Sequence, residues 1–289
     1  MAADRKINRG SEGGAPVFVW DAPEVFLRLN LEEQRASLER LEASVREPWL
    51  RLLEEDSRKG RRELARRLRN AQEKIRRLED RWRSLSDFDR RMSGGFRLAG
   101  VDEVGRGPLA GPVTAAAVIL PPGFHAPGLD DSKVLSETAR EVFAERIREE
   151  ALSWALADRS AEEVDRLGIR NAVMAVMTEA LAKLQIEAKC ILVDGRETPE
   201  AVTGARAIID GDAKSLSVAA ASVIAKVHRD GFMREAHTRF PEYGFADNKG
   251  YGSPDHIAAL RRIGPCPLHR RSFLGRILSG DAARAGRGG

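Results

Sequence analysis

Leu98-Ala99-Gly100-Val101-Asp102-Glu103-Val104-Gly105-Arg106-Gly107-Pro108 is the point at which the texture of this chain changes. It opens as a short apolar run of the kind that forms a buried strand. Two acids interrupt the run, and a glycine-lined turn carrying one guanidinium follows at once. Glycines let a backbone approach a ligand closely, and an arginine can fork onto a phosphate. Aspartate at a strand end is in general a turn former, but Asp102 and Glu103 stand before Val104 and so inside the run.

Downstream, residues 113–120 read as a second strand, and residues 153–158 alternate weakly as another. Residues 190–193 run into Asp194-Gly195, and residues 207–209 into Asp210-Gly211-Asp212. Residues 137–152, 171–184 and 217–237 read as helices, the last with small residues on its early turns. Strands mixed with helices predict an α/β domain of about 180 residues. Adjacent strand tips lie about 5 Å apart, so carboxylates gathered there repel one another without a counter-charge. Hard oxygen donors suit Mg²⁺ or Mn²⁺, and two such ions about 4 Å apart are a device for in-line phosphodiester hydrolysis.

Upstream, residues 1–16 are polar and glycine-rich and are expected to be disordered. Residues 22–85 carry two apolar stripes at helical spacing, separated by Asp56-Ser57-Arg58-Lys59-Gly60. They predict a helical hairpin or short bundle with charged outer faces. Ser93-Gly94-Gly95 reads as a hinge. The organisation expected is a charged helical extension over 1–95, a catalytic domain over 96–275 and a basic flexible tail over 276–289.

The 289 residues are 42% hydrophobic and 32% charged with a net charge of +4, which is too apolar and too balanced for a disordered chain. No apolar run approaches the roughly 20 residues of a membrane span, and no apolar signal core opens the chain. Cys190 and Cys266 are far apart and imply no disulfide framework. A soluble, cytoplasmic protein is expected. Charge is segregated: residues 1–97 hold 23 basic and 18 acidic side chains, 98–260 hold 18 and 25, and 261–289 hold 7 and 1. Basic flanks suit a polyanion, and an acidic centre tolerates one only when cations neutralise it. A nuclease with bound metal satisfies both, although a solvated helix face plus a basic tail also accounts for the charge alone. No histidine pair suits zinc, no cysteine is placed as a nucleophile, and no phosphate loop implies ATP.

The stretch from Gly100 to Val113 resembles the first motif of bacterial ribonuclease HII. The resemblance continues through Asp131-Ser132-Lys133, Val193-Asp194-Gly195, Gly211-Asp212, the run from Ala219 to Val227 with Arg229-Asp230, Lys249-Gly250-Tyr251 and His269-Arg270-Arg271-Ser272-Phe273. It implies a ribonuclease-H-like mixed sheet flanked by helices, with a C-terminal helical portion. It implies an endoribonuclease that hydrolyses the RNA strand of RNA–DNA hybrids. It also implies nicking 5′ of ribonucleotides embedded in duplex DNA, leaving 3′-hydroxyl and 5′-phosphate ends. Carried over by motif, Asp102, Glu103, Asp194 and Asp212 are the catalytic, metal-binding carboxylates, for Mg²⁺ or Mn²⁺. Gly105, Arg106, Gly107 and Tyr251 read the ribose, where the 2′-hydroxyl separates RNA from DNA. Lys133, Ser222 and Lys226 are expected on phosphates, and Arg270 and Arg271 on the nucleic-acid backbone. A monomer is expected.

Three features depart from the pattern. Ala213 stands where the family often has serine, Asp210 is acidic where that is uncommon and reads as a turn residue, and about 95 residues precede the first strand. The Asp56–Gly60 stretch resembles a short motif of extended members. The basic block at residues 58–83, with 12 basic and 4 acidic side chains, is expected to add duplex affinity. Two alternatives stay open. A non-catalytic duplex-binding protein leaves the acidic cluster unexplained, and another two-metal nuclease of this fold class gives no reason for Gly105-Arg106-Gly107 with Tyr251.

Overall fold

The computed structural model describes residues 23–278, together with the short antiparallel strands β1 (Ile7–Asn8) and β2 (Val17–Phe18). The expectations for residues 1–16 and 276–289 lie outside the described residues, save 7–8 and 276–278. Two compact units divide the chain, Met1–Asp80 and Arg81–Gly289.

The first unit holds α1 (Pro23–Arg28), α2 (Leu31–Glu39), α3 (Ala43–Glu54) and most of α4 (Lys59–Ser93). The apolar stripes of the sequence become its core, with Phe26, Leu38, Leu50, Leu53, Leu64 and Leu68 buried together. Asn30 opens α2 with a reciprocal capping box to Glu33. Asp56 performs a related task before α4: one carboxylate oxygen accepts from Arg58 N at 2.8 Å and the other pairs with buried Arg61 at 2.6 Å.

The second unit begins with the last turns of α4. These lay Trp82, Leu85, Phe88 and Met92 against the apolar layers beside the sheet. Gly94 and Gly95, the hinge of the sequence reading, follow at φ 58° and 88°, inside this unit. Then come β3 (Leu98–Val104), β4 (Val113–Ile119), α5 (Glu137–Glu150), β5 (Ser153–Arg159), α6 (Ala161–Leu167), α7 (Ile169–Ala182), β6 (Cys190–Asp194), β7 (Ala205–Ile208), α8 (Leu216–Arg239), a 3-10 turn (Pro241–Tyr243), α9 (Phe245–Asn248), α10 (Pro254–Ile263) and α11 (Arg271–Leu278). The strands form a five-stranded sheet in the order β5-β4-β3-β6-β7. The β5-β4-β3 pairs are antiparallel, and the β3-β6 and β6-β7 pairs are parallel.

Both sheet faces are covered, which is why β4 is buried at every position. Ala116 and Val118 meet the early turns of α8 on one face; Val113, Ala115 and Ala117 meet α7 on the other. The small residues at the start of α8 follow from its closeness to β3, since a Cβ at Gly100 would overlap the Ser217 and Val218 backbone. No helix among the described residues is long and apolar enough to cross a membrane.

Candidate active site

Val101 of β3 pairs in parallel register with Val193 of β6, so Asp102 and Asp194 stand side by side on adjacent strands. Beyond β7 the chain turns at Asp210, whose φ of 53° is one that aspartate tolerates better than most residues. Gly211 N then donates to Asp194 Oδ1 at 2.6 Å, which draws Asp212 in ahead of α8. Asp102, Asp194 and Asp212 each offer a carboxylate oxygen within 4.8 Å of the other two. Asp102 and Asp212 are both 4% exposed.

Burial holds the Asp102 carboxyl well above its ordinary value, and the charges of Glu103 and Asp194 push the same way; the Ser222 hydroxyl opposes them. Burial also raises Asp194, with Asp212 adding to it. Crowded, desolvated carboxylates demand a cation. Lys133 supplies one positive charge, with its Nζ 2.7 Å from Asp212 Oδ2 and 3.4 Å from Asp131 Oδ1. Against the desolvation of partial burial, the hydrogen bond to Asp212 keeps the Lys133 ammonium above its ordinary value. Converging all-oxygen donors of this kind fit a hard divalent cation.

Glu103 is not part of that triad. Successive strand residues face opposite sides of a sheet, and Glu103 faces the α7 side. Its Oε1 lies 3.1 Å from Arg106 NH1; burial raises its carboxyl and Arg106 opposes the shift. It lines a cleft of about 500 Å³ with Arg106, Met174, Met177, Asp194 and Asp210.

Residues 105–112 form a loop held from beneath by two arginines, Arg229 and Arg270, both at 0% exposure. Arg270 donates to the carbonyls of Gly105, Arg106, Pro108 and Gly111 at 2.6–3.1 Å. Arg229 donates to those of Ala110, Pro112 and Lys249 at 2.9–3.1 Å. Gly105 sits at φ 93°, and a Cβ there would overlap Arg229 Nε and the Pro112 carbonyl. Gly250 O accepts from Leu109 N at 2.8 Å and from Ala110 N at 3.3 Å. That pairing seats Tyr251, 45% exposed, beside Gly107.

Residues 99–275 match the family model for ribonuclease HII, and residues 32–93 match that for the ribonuclease HII N-terminal domain. The chain belongs to the ribonuclease HII family. A ribonuclease HII of Myxococcus xanthus is 43% identical over 256 residues, covering 88% of this chain and 87% of that one. That of Geobacillus thermodenitrificans is 44% identical over 245 residues, covering 84% and 94%. Among solved structures, ribonuclease H2 of Pyrococcus horikoshii aligns with a TM-score of 0.55 at 25% identity, over 64% of this chain and 98% of that one. The chain is thus an endoribonuclease of RNA–DNA hybrids, and its sheet is ribonuclease-H-like.

The remaining residues of the sequence reading fall at varied distances from the triad. Ser222, expected on a phosphate, is 4% exposed. Its hydroxyl meets Ser132 Oγ at 2.9 Å and Asp102, so it stands behind the carboxylate. Lys226, one turn further along α8, pairs with Asp230 at 2.9 Å. Arg271 is exposed at the start of α11, where its backbone N–H donates to Asp165 at 2.7 Å. Arg270, expected on nucleic acid, is instead the buried clamp of the 105–112 loop.

The sequence reading missed Arg229 as a clamp, although the motif containing it was noted. It also missed two braces from α4. Arg81 pairs with Asp130 at 2.6 Å and donates to Ala213 O at 2.9 Å. Asp89 accepts from Ser217 N at 2.8 Å and from its hydroxyl at 2.7 Å. The legible sign was the helical spacing of Arg81, Trp82, Leu85, Phe88, Asp89 and Met92.

Proposed function

We propose that this protein incises on the 5′ side of a ribonucleotide, within hybrids and embedded singly in duplex DNA, leaving 3′-hydroxyl and 5′-phosphate ends. The observation that carries this reading is the convergence of three aspartate oxygens within 4.8 Å of one another, one of them, Asp102, on the strand that leads directly into the exposed Arg106-Gly107 turn beside Tyr251. Asp102, Glu103, Asp194 and Asp212 are the residues proposed to hold Mg²⁺ or Mn²⁺. Divalent ions held there would make a water nucleophilic and stabilise the leaving oxygen.

The protein's own groups position the substrate. The backbone of Gly105-Arg106-Gly107 meets the 2′-hydroxyl without side-chain obstruction, and the Tyr251 ring stacks on the neighbouring deoxyribose. Lys133 is proposed to exchange part of its pairing with Asp212 for a phosphate, while Lys226 and Arg271 bind further along the backbone. Ser222 keeps Asp102 aligned. Glu103 turns between Arg106 and the carboxylates.

The division of labour proposed is a helical extension over 1–95, a catalytic domain over 96–275 and a basic tail over 276–289, acting as a cytoplasmic monomer. On the exposed face of α4, Glu63 is shared by Arg66 and Arg67, and Glu73 by Arg76 and Arg77. Each cluster keeps a net positive charge, which favours a duplex backbone and makes its affinity depend on salt.

Cleavage of three labelled duplexes tests the reading: one with a single ribonucleotide, one all-DNA and one long hybrid, each with Mg²⁺, Mn²⁺ or EDTA. Metal-dependent nicking 5′ of the lone ribonucleotide is expected. Cutting of the long hybrid alone would remove the ribose-reading role from Tyr251 and the glycine turn.

A further inference from the structure

Arg270 has no carboxylate in hydrogen-bond contact among the described residues; its guanidinium is satisfied by backbone carbonyls. A buried cation hydrogen-bonded only to neutral dipoles is costly, and the charge of Asp165, which makes no hydrogen bond to it, offsets only part of that cost. Burial pushes Arg270 down to about 10, which leaves it charged at neutral pH. Such an arrangement does more than fill space, because the carbonyls it takes belong to the turn beside the carboxylates.

The stereochemistry of the turn follows from the clamp. In a trans peptide the C=O and the following N–H lie on opposite edges of one plane. Arg270 NH2 takes the Gly105 carbonyl at 2.6 Å, and NH1 takes the Arg106 carbonyl at 3.0 Å. The N–H groups of Arg106 and Gly107 therefore point away from the guanidinium. Both residues are exposed, and neither N–H has a protein acceptor among the backbone hydrogen bonds of the described residues. A cation on the carbonyl side polarises each peptide and strengthens its N–H as a donor.

We infer that Arg270 is a positioning residue for ribose recognition: by holding two successive carbonyls inward it presents the Arg106 and Gly107 N–H groups as a fixed donor pair to the substrate. The inference rests on the reading of this turn as the part that meets the ribose. It separates the two adjacent arginines of the Arg270-Arg271 pair into different tasks, one beneath the turn and one on the surface. Lysine cannot replace Arg270, because a point ammonium lacks the planar fork that spans two carbonyls.

The test compares wild type with Arg270→Lys in four measurements. These are kcat/KM on a duplex with one ribonucleotide, the inhibition constant of an unlabelled all-DNA duplex, Mn²⁺ affinity by titration calorimetry, and Tm. Expected is a loss of about 100-fold in kcat/KM, as for a misplaced reacting group. The all-DNA inhibition constant and Mn²⁺ affinity should stay within about twofold, since neither involves the ribose. An unchanged kcat/KM overturns the inference. So does a parallel loss of kcat/KM and all-DNA affinity, which marks general disruption. If Arg270→Lys does not fold, Arg270→Gln, whose neutral amide can hold one carbonyl but lacks the fork that spans two, is measured with the same expectations and the same overturning results. A wild type that does not cut at a lone ribonucleotide sinks the ribose-reading role itself, and this inference with it.

Discussion

Lys133 Nζ lies 2.7 Å from Asp212 Oδ2, although the lysine side chain is 72% exposed and the aspartate side chain only 6%. A flexible surface ammonium thus reaches into a buried acidic cluster and offsets part of its repulsion. A divalent ion competes with it for the same carboxylate. Lys133→Ala is expected to lower Tm in EDTA and to give a larger metal-induced rise in Tm than wild type. Activity should fall about tenfold or more, the worth of one charge-assisted hydrogen bond. Thermal melts across a Mg²⁺ titration check this, and equal metal-induced shifts in the two proteins count against it.

Asp102→Asn removes one charge from the crowded triad. Cleavage should fall by about three orders of magnitude or more, since several kcal/mol of charge stabilisation is lost, while binding of the uncut duplex persists. Metal-free stability should move the other way. The folded Asp102 carboxyl is raised by burial and by Glu103 and Asp194, so its stabilising protonation is present at low pH. That contribution is lost as pH climbs through the raised value. Metal-free Asp102→Asn should therefore overtake wild type in urea midpoint as pH rises from about 4. A midpoint difference that does not change with pH would show that the carboxylates are not in conflict.

The acidic cluster was legible because short apolar runs that meet acids place carboxylates on neighbouring strands of one sheet or just beyond them, and Asp102, Asp194 and Asp212 do converge. The different orientation of Glu103 was also implicit, since neighbours on a strand face opposite sides. The clamps were not legible. Arg270 and Arg271 are adjacent and chemically identical, and only the packing of α11 puts one at 0% exposure and leaves the other in solvent. An arginine whose partners are carbonyls has no oppositely charged residue in the sequence to announce it. The helix α6 was missed because it is seven residues long and opened by a capping box at Ser160, with too few turns to establish a stripe.

Arg81 links the two loops that carry Lys133 and Asp212. Its Nε and NH2 fork onto Asp130 at 2.8 and 2.6 Å, and NH2 also holds the Ala213 carbonyl at 2.9 Å. The pair is partly exposed, so Arg81→Ala should cost only about 1 kcal/mol of stability. Its effect on function should be larger, because the Asp212 loop loses its tether. Mn²⁺ affinity is expected to fall about tenfold, as for lost groups that orient metal ligands. Calorimetric titration of the folded variant measures this, and wild-type affinity would mean that the loop needs no brace from α4.

His256 and His269 form a buried relay that ends on Tyr251. Cys266 N donates to His269 Nδ1 at 3.0 Å, the two Nε2 atoms are 2.9 Å apart, and His256 Nδ1 is 2.8 Å from the Tyr251 carbonyl. One tautomer of each ring satisfies every link: His269 donates through Nε2, and His256 donates through Nδ1. Both rings are then neutral, and a proton added to either breaks the chain. Burial lowers both, and the neighbouring His256 helps to take His269 down to about 4. Tyr243 and Cys266 beside them are raised by burial and keep their protons in this range. Above the ordinary histidine value of 6.5 the rings are neutral folded and unfolded, and the relay adds no pH dependence. Below it the unfolded chain takes up protons that the folded chain refuses, so stability falls from about pH 6.5 towards pH 4. Asp102 contributes the opposite slope, so the measurement is the difference in urea midpoint between wild type and His269→Phe. That difference should shrink as the pH is lowered through this window, and a constant difference would mean that His269 is protonated in the folded protein as readily as in the unfolded chain.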